Sequence, residues 1–245
     1  MKLLIVSDLH ANWPALEAVL AAAPEVDGFL CLGDLVNYGP HPAKTVEWAH
    51  RNIPSGQIVQ GNHDHALGRD ADPCCAPAFR PLAAAMQRAT AGQLTIAQKT
   101  YLAHLPTRRS LVLDGAKVRL YHAIPTGPLF GYCPPNASPR RWELEVEAAG
   151  RPDVLLVGHT HHQFARRMNG TTILNPGSVG QPLDGDPRAA YALWQDGEVT
   201  LRRAGYDIEM VAAALQALAP AEIARPLAAM LRNAGIETEQ IVEDR

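Results

Sequence analysis

Five short apolar stretches of this chain each stop at residues able to hold a metal ion, and that repetition constrains the fold more than any other feature. The first, Leu3-Leu4-Ile5-Val6, is continuous and branched and reads as a buried strand running into Ser7-Asp8-Leu9-His10. Side chains alternate faces along a strand, so Asp8 and His10, two apart, project to one side. The later stretches end in Gly33-Asp34, Gly61-Asn62-His63-Asp64, His122 and Gly158-His159-Thr160-His161. Open α/β sheets place their sites at the carboxyl ends of strands. Five such ends with the same chemistry point to one shared site.

Between these ends the pattern alternates. Strands at 27–32 and 57–60 follow helices at 15–23 and 41–52, with Asn12 as N-cap and Pro14 in the first turn. This rhythm predicts parallel strands joined by right-handed crossovers. Residues 65–109 break it with helices at 76–91 and 95–104, a helical insertion rather than a domain, because strands resume at Ser110. Three hairpins follow: 110–113 with 117–121, 164–168 with 171–174, and 189–195 with 199–203. Their turns, Asp114-Gly115, Asn169-Gly170 and Asp196-Gly197, suit the positive-φ pair of a type I′ turn. Segment 124–139 holds five prolines and two glycines and is expected as a loop over the site. A helix at 139–149 and a strand at 153–157 come next, then helices across about 206–235 and a Glu-rich end that frays. Asn175-Pro176-Gly177-Ser178 either ends its hairpin or braces the site. The expectation is one domain over 1–245, parallel in its first half and antiparallel in its second, with helices on both outer faces.

Composition excludes several classes. An apolar fraction of 47% and a charged fraction of 19% over 245 residues describe a soluble globular chain. A formal charge of -3, with arginine pairs scattered between elements, argues against a nucleic-acid track. No stretch reaches the ~20 apolar residues of a membrane span, and no signal-peptide layout precedes the first strand. The four cysteines form no Cys-x-x-Cys motif, which fits reduced thiols in a cytoplasm.

The polar strand ends comprise Asp8, His10, Asp34, Asn62, His122, His159 and His161: two carboxylates, four imidazoles and one amide. Seven ligands exceed one tetrahedral ion but suit two ions sharing a carboxylate. Mixed imidazole and carboxylate favours manganese, iron, cobalt, nickel or zinc over calcium or magnesium. Two divalent ions, less two carboxylates and a bridging hydroxide, leave the site positive by about one unit, which suits a phosphate ester and its transition state. The ions would also make hydroxide available near neutrality. His63 is then free to protonate the leaving oxygen, with Asp64 to orient it. The other five histidines, His41, His50, His65, His104 and His162, read as core or surface residues. Asn37 and Tyr38, in the loop after Asp34, and Arg188 are candidate substrate contacts. Tyr38, with Phe130 and Tyr132 opposite, would favour a ring-bearing substrate.

Asp8-Leu9-His10, Gly33-Asp34, Gly61-Asn62-His63-Asp64, His122 and Gly158-His159-Thr160-His161 resemble, in order and spacing, the five blocks of the calcineurin-like metallophosphoesterase superfamily. Asn175-Pro176-Gly177-Ser178 extends the likeness to its small bacterial phosphodiesterase-like branch. The resemblance implies an α/β fold, a four-layer α-β-β-α sandwich of two mixed sheets flanked by helices. It implies that Asp8, His10, Asp34 and His161 hold one metal and that Asp34, Asn62, His122 and His159 hold the other. His63 would contact substrate and assist the leaving group. The cofactors implied are two divalent transition-metal ions, manganese first, with iron, nickel, cobalt or zinc as alternatives. Ala11 and Ala123 depart from the glycines common in small bacterial members, which bears on substrate approach and not on the metals. The expected function is hydrolysis of phosphodiester, phosphoanhydride or phosphomonoester bonds, including nucleotides and dinucleoside polyphosphates, by a metal-bridging hydroxide. A metal-bound scaffold for a protein partner and a nuclease are the alternatives. The intact His63 argues against the first, and the lack of an added DNA-binding module beyond residue 165 argues against the second.

Overall fold

The computed structural model describes residues 1–235. The Glu-rich end expected to fray, 236–245, lies outside the described residues. Two sheets stack face to face. One has the order β2-β1-β8-β9, built from Lys2–Val6 (β1), Gly28–Cys31 (β2), Ala189–Gln195 (β8) and Glu198–Ala204 (β9). The other has the order β3-β4-β5-β7-β6, from Arg108–Leu113 (β3), Ala116–Tyr121 (β4), Val154–Leu156 (β5), Gln163–Met168 (β6) and Thr171–Pro176 (β7).

Alternation along β1 shows how the layers form. Leu3 and Ile5 join Leu30, Val118, Leu120, Leu156 and Trp194 between the sheets. Leu4 and Val6 face outward and pack under helices α1 (Trp13–Ala22) and α2 (Pro42–Asn52) through Leu16, Val19, Val46 and Ala49. On the far side Trp142 and Val146 of α6 (Pro139–Ala148) cover Tyr121, Leu155 and Ile173. Strands buried on both faces read as unbroken apolar runs for this reason. The result is the expected α-β-β-α sandwich.

The division into a parallel first half and an antiparallel second half is overturned. Both sheets are mixed: β1 runs parallel to β2 but antiparallel to β8, and β5 runs parallel to β4 and β7 while β6 is antiparallel. The last hairpin returns to the first sheet, a long-range pairing that local pattern does not encode. The strand expected at 57–60 is reduced to one parallel bridge, Cys31 to Ile58. All three I′ turns are present, with φ of 46° and 84°, 49° and 87°, and 52° and 87° at their central pairs.

The insertion begins earlier than expected. Helix α3 spans Asn62–Arg69, so site residues occupy its first turn, and α4 (Arg80–Ala91) and α5 (Ile96–His104) follow. Asn12 caps α1 through the Ala15 N–H. Helices α7 (Ile208–Leu218) and α8 (Ala221–Asn233) pack with α4 and Tyr38 in a separate apolar cluster. Among the described residues no helix is long and apolar enough to cross a membrane.

Candidate metal centre

Five strand or loop ends converge, as expected. Asp8, His10, Asp34, His159 and His161 all adopt positive φ, between 45° and 64°. Non-glycine residues seldom do so, and clusters of them mark sites where surrounding structure holds strain in place. Asp8, His10 and His161 form one group of converging donor atoms, and Asp34, His122 and His159 another. Asp34 lies between them, its Oδ2 3.8 Å from His10 Nε2 and 3.3 Å from His122 Nε2.

Backbone carbonyls settle which nitrogen each imidazole presents. His10 Nδ1 donates to Val36, His122 Nδ1 to Leu32 and His161 Nδ1 to Gln181, at 3.1, 2.8 and 2.6 Å. A carbonyl only accepts, so each ring keeps a hydrogen on Nδ1 and turns Nε2 inward, the nitrogen a metal ion would take. His10 Nε2 and His161 Nε2 then face each other at 3.0 Å. His122 Nε2 faces His159 Nδ1 at 3.2 Å and the Asn62 carbonyl oxygen at 2.9 Å. The Asn62 amide is oriented by its Nδ2, which donates to Pro73.

These lone pairs need a cation. Asp8 Oδ1 and Asp34 Oδ2 are buried without a hydrogen-bond partner among the described residues. Their other oxygens are engaged: Asp8 Oδ2 accepts from Ser7 Oγ and the His159 N–H, and Asp34 Oδ1 accepts from the His63 N–H. Buried acceptors without donors are costly, and a pair of divalent ions would resolve that cost. The donor set, imidazole and carboxylate without thiolate, fits such ions.

The charges are arranged to match. Burial opposes ionisation of Asp34, but His122, His63 and His10 outweigh it and hold that carboxyl well below its usual range. Burial raises the Asp8 carboxyl against the pull of His161 and His122. Burial, reinforced by neighbouring imidazoles, lowers His10 and brings His159 to about 3. Burial likewise lowers His161, although Asp8 opposes it. His122 goes the other way. Burial disfavours its charge, yet Asp34 overrides this and lifts it to about 9.

Two residues make contacts other than those expected. Asp64 does not orient His63. It sits at the third position of α3 and accepts from the backbone N–H groups of Asp34, Leu35 and Gly61, which ties the two ligand loops together. Burial and Asp34 raise its carboxyl to about 7. Asn37, expected to touch substrate, instead meets His63 Nδ1 through Nδ2 at 2.8 Å. Its own Oδ1 accepts from the Tyr38 N–H and its Nδ2 also donates to Ala83, so the amide cannot be turned round. His63 Nδ1 must therefore accept, leaving the proton on Nε2.

A cavity of about 430 Å³ opens over the centre, lined by Asp34, Asn62, His63, His159 and His161. Tyr38 lines it too but offers no stacking face: it is 5% exposed, and the His10 and His63 rings meet it edge-on at 5.0 and 4.8 Å. Phe130 and Tyr132 of the Pro-rich loop are 46% and 57% exposed and do line the cavity. Arg188 is not at the cavity. It forms an exposed ion pair with Asp186. Arg80 and Gln181 line the site in its place, and nothing in the sequence pattern marked them. Ala11 and Ala123 are buried away from the cavity, Ala11 at a φ of 51° that glycine would meet without strain. Ser178 Oγ donates to the Asp8 carbonyl, and Asn175 Nδ2 to that of Gly158, so both brace ligand loops.

Known proteins share this architecture. A metallophosphoesterase of Sphaerobacter thermophilus superposes with a TM-score of 0.80 at 33% identity, over 96% of this chain and 99% of that one. The PH1004 protein of Pyrococcus horikoshii, at 19% identity, shares the fold with a TM-score of 0.79, over 92% and 97% of the two chains. In sequence, an uncharacterised protein of Methanocaldococcus jannaschii is 30% identical over 226 residues, 84% of this chain and 88% of its own. The Escherichia coli phosphodiesterase YfcE is 29% identical over 206 residues, 79% of this chain and 86% of its own. The calcineurin-like phosphoesterase superfamily domain matches residues 1–196, and the chain belongs to that superfamily.

Proposed function

We propose that this chain is a dinuclear metal-dependent phosphodiesterase, acting on a phosphodiester or phosphoanhydride joined to a ring-bearing group such as a nucleotide. The observation that carries the reading is Asp34 Oδ2, buried, without a donor, and set between the two groups of imidazoles. Asp8, His10, Asp34 and His161 would hold one ion, and Asp34, Asn62, His122 and His159 the other. Bound there, two divalent ions supply a water-derived nucleophile near neutral pH and Lewis acidity toward the phosphoryl oxygens.

The chain's own groups do the rest. His63 presents Nε2–H, so it donates to an oxygen of the phosphoryl group or to the leaving oxygen, and Asn37 holds that orientation. Phe130 and Tyr132 offer exposed ring faces at the cavity rim, which favours a base or aryl group over a bare sugar. The name of the Escherichia coli relative, a phosphodiesterase, supports a diester substrate. Manganese leads among the ions the donor set suits, ahead of iron, nickel, cobalt and zinc. The site draws on residues from Asp8 to Gln181, which supports reading 1–245 as one domain. All four cysteines are unpaired, which supports a cytoplasmic setting.

The test is turnover of a nucleotide-containing diester and a small aryl monoester by manganese-loaded protein. The diester should be preferred in kcat/KM. A clear preference for the monoester overturns the substrate class, and no turnover of either with both ions bound overturns the enzyme.

A further inference from the structure

The helical insertion forms a second cavity of about 630 Å³ beside the metal centre. Four cations line it: Arg69 on α3, Arg80 and Arg88 on α4, and Lys99 on α5. The carboxylates there are Asp70 and Asp72, so the local balance is four minus two, or +2, in a chain of net charge -3. Asp72 accepts the Cys74 N–H and so closes its own turn.

The cations are free for a ligand. Among the described residues none of the four enters an ion pair; Arg69 donates to the Ala103 carbonyl and Arg80 to that of Cys75. Several helical arginines elsewhere are neutralised locally, Arg51 by Glu47, Arg140 by Glu143 and Arg232 by Glu209. Four unpaired cations around one concavity repel one another unless an anion joins them.

Position gives the cleft its meaning. Arg80 lines both this cavity and the one over the metal centre, so the two share it as a common wall residue. The cavity over the candidate metal centre thus has exposed rings, Phe130 and Tyr132, on its wall, and a cationic cavity adjoins it at Arg80. We propose that the cleft from Arg80 to Arg88 and Lys99 is an anion subsite that receives a second phosphoryl group of the substrate, making a nucleoside oligophosphate the favoured class. Guanidinium groups bind phosphate oxygens in pairs, and the lysine adds a point charge. The assignment of the substrate rests on the phosphoesterase reading of the metal centre, whereas the anion affinity does not. A short phosphate chain suits the cleft better than a nucleic-acid strand, since the charge is confined to one concavity.

Inorganic tripolyphosphate is the probe. Calorimetric titration of the metal-free full chain compares wild type with Arg88→Glu/Lys99→Glu and with Arg80→Ala, at low and high salt. Affinity should fall at least about tenfold in the double variant and fall also in Arg80→Ala. In wild type it should weaken with salt, as exposed charge pairs do. Equal affinity in wild type and double variant, with both thermally stable, overturns the subsite. Tighter binding of a single-stranded oligonucleotide than of tripolyphosphate also overturns it, in favour of a nucleic-acid groove. With manganese loaded, the ratio of kcat/KM on a dinucleoside polyphosphate to that on a compact nitrophenyl diester should fall by a similar factor in the double variant. An unchanged ratio overturns the substrate class. A protein that binds tripolyphosphate as expected yet hydrolyses neither ester upholds the anion site and overturns the phosphoesterase reading alone.

Discussion

Each imidazole at the centre is committed to a job by the atom it leans on. His63 leans on Asn37, whose amide cannot turn, so its ring proton sits on Nε2, where it can hydrogen-bond the phosphoryl or leaving oxygen. His63→Ala should lower turnover by roughly 10²–10³-fold, the range for removing one hydrogen-bond donor to developing charge, while elemental analysis still finds both metals. The loss should shrink for substrates with nitrophenolate leaving groups, whose delocalised charge needs little stabilisation. An equal loss for good and poor leaving groups would reassign His63 to positioning. Asn37→Ala should weaken turnover in the same pattern but less, whereas Asn37 as a substrate contact would raise KM without that leaving-group dependence. His122, lifted to about 9 chiefly by Asp34, carries a proton at pH 7, while His10, His159 and His161 do not. Metal binding at pH 7 should therefore release the His122 proton besides any from metal-bound water, at least about one per chain, read by calorimetry in buffers of different ionisation enthalpy. Its folded pKa lies above the unfolded value, so its contribution to metal-free stability is full below about 6.5 and lost as pH rises through about 9. The positions of all seven candidate ligands were legible because each closes an apolar run. That Asn37 rather than Asp64 meets the His63 ring was not, because adjacency to His63 in sequence says nothing about which loop folds over its ring.

Elements place these atoms through close backbone approach. An added Cβ at Gly61 would collide with the Asp34 side chain and backbone, although the Gly61 φ of -90° is open to any residue. Gly61→Ala should therefore destabilise by about 1–3 kcal/mol through overpacking and reduce metal content. Gly92→Ala is the contrast, with open space and a φ of -73°. It should stabilise by about 0.4–1 kcal/mol by restricting the unfolded chain. Thermal melts and metal analysis of the two variants check both; comparable melts and full metal in Gly61→Ala would contradict the collision. Strands and hairpins were readable from period and turn chemistry. Helix α3 was missed although Gly61 and Asp64 carry half of a capping box, the Asp64 carboxylate accepting the Gly61 N–H. Short strand ends and helix starts share polar residues, and only the tertiary contact decides between them.

At the scale of the molecule, the two sheets bring residues 8 and 161 together, and a bound metal would reconcile their lone pairs. The mixed pairing of β1 with both β2 and β8 could not be read, since strand order depends on contacts nearly two hundred residues apart. Arg80 escaped notice for the same reason: its helix reaches the site only after the chain has folded. Ions that bind only the folded state add stability as their concentration rises, so the melting temperature should climb with added manganese and return with a chelator. Asp34→Asn should abolish most of that rise and empty both positions, whereas His10→Ala should empty mainly one. The most direct measurement is metal stoichiometry by elemental analysis together with anomalous scattering from crystals of the loaded protein. Two ions about 3.5–4 Å apart, with Asp34 between them, is the expected result. A single ion per chain, or two that do not share Asp34, would contradict the account.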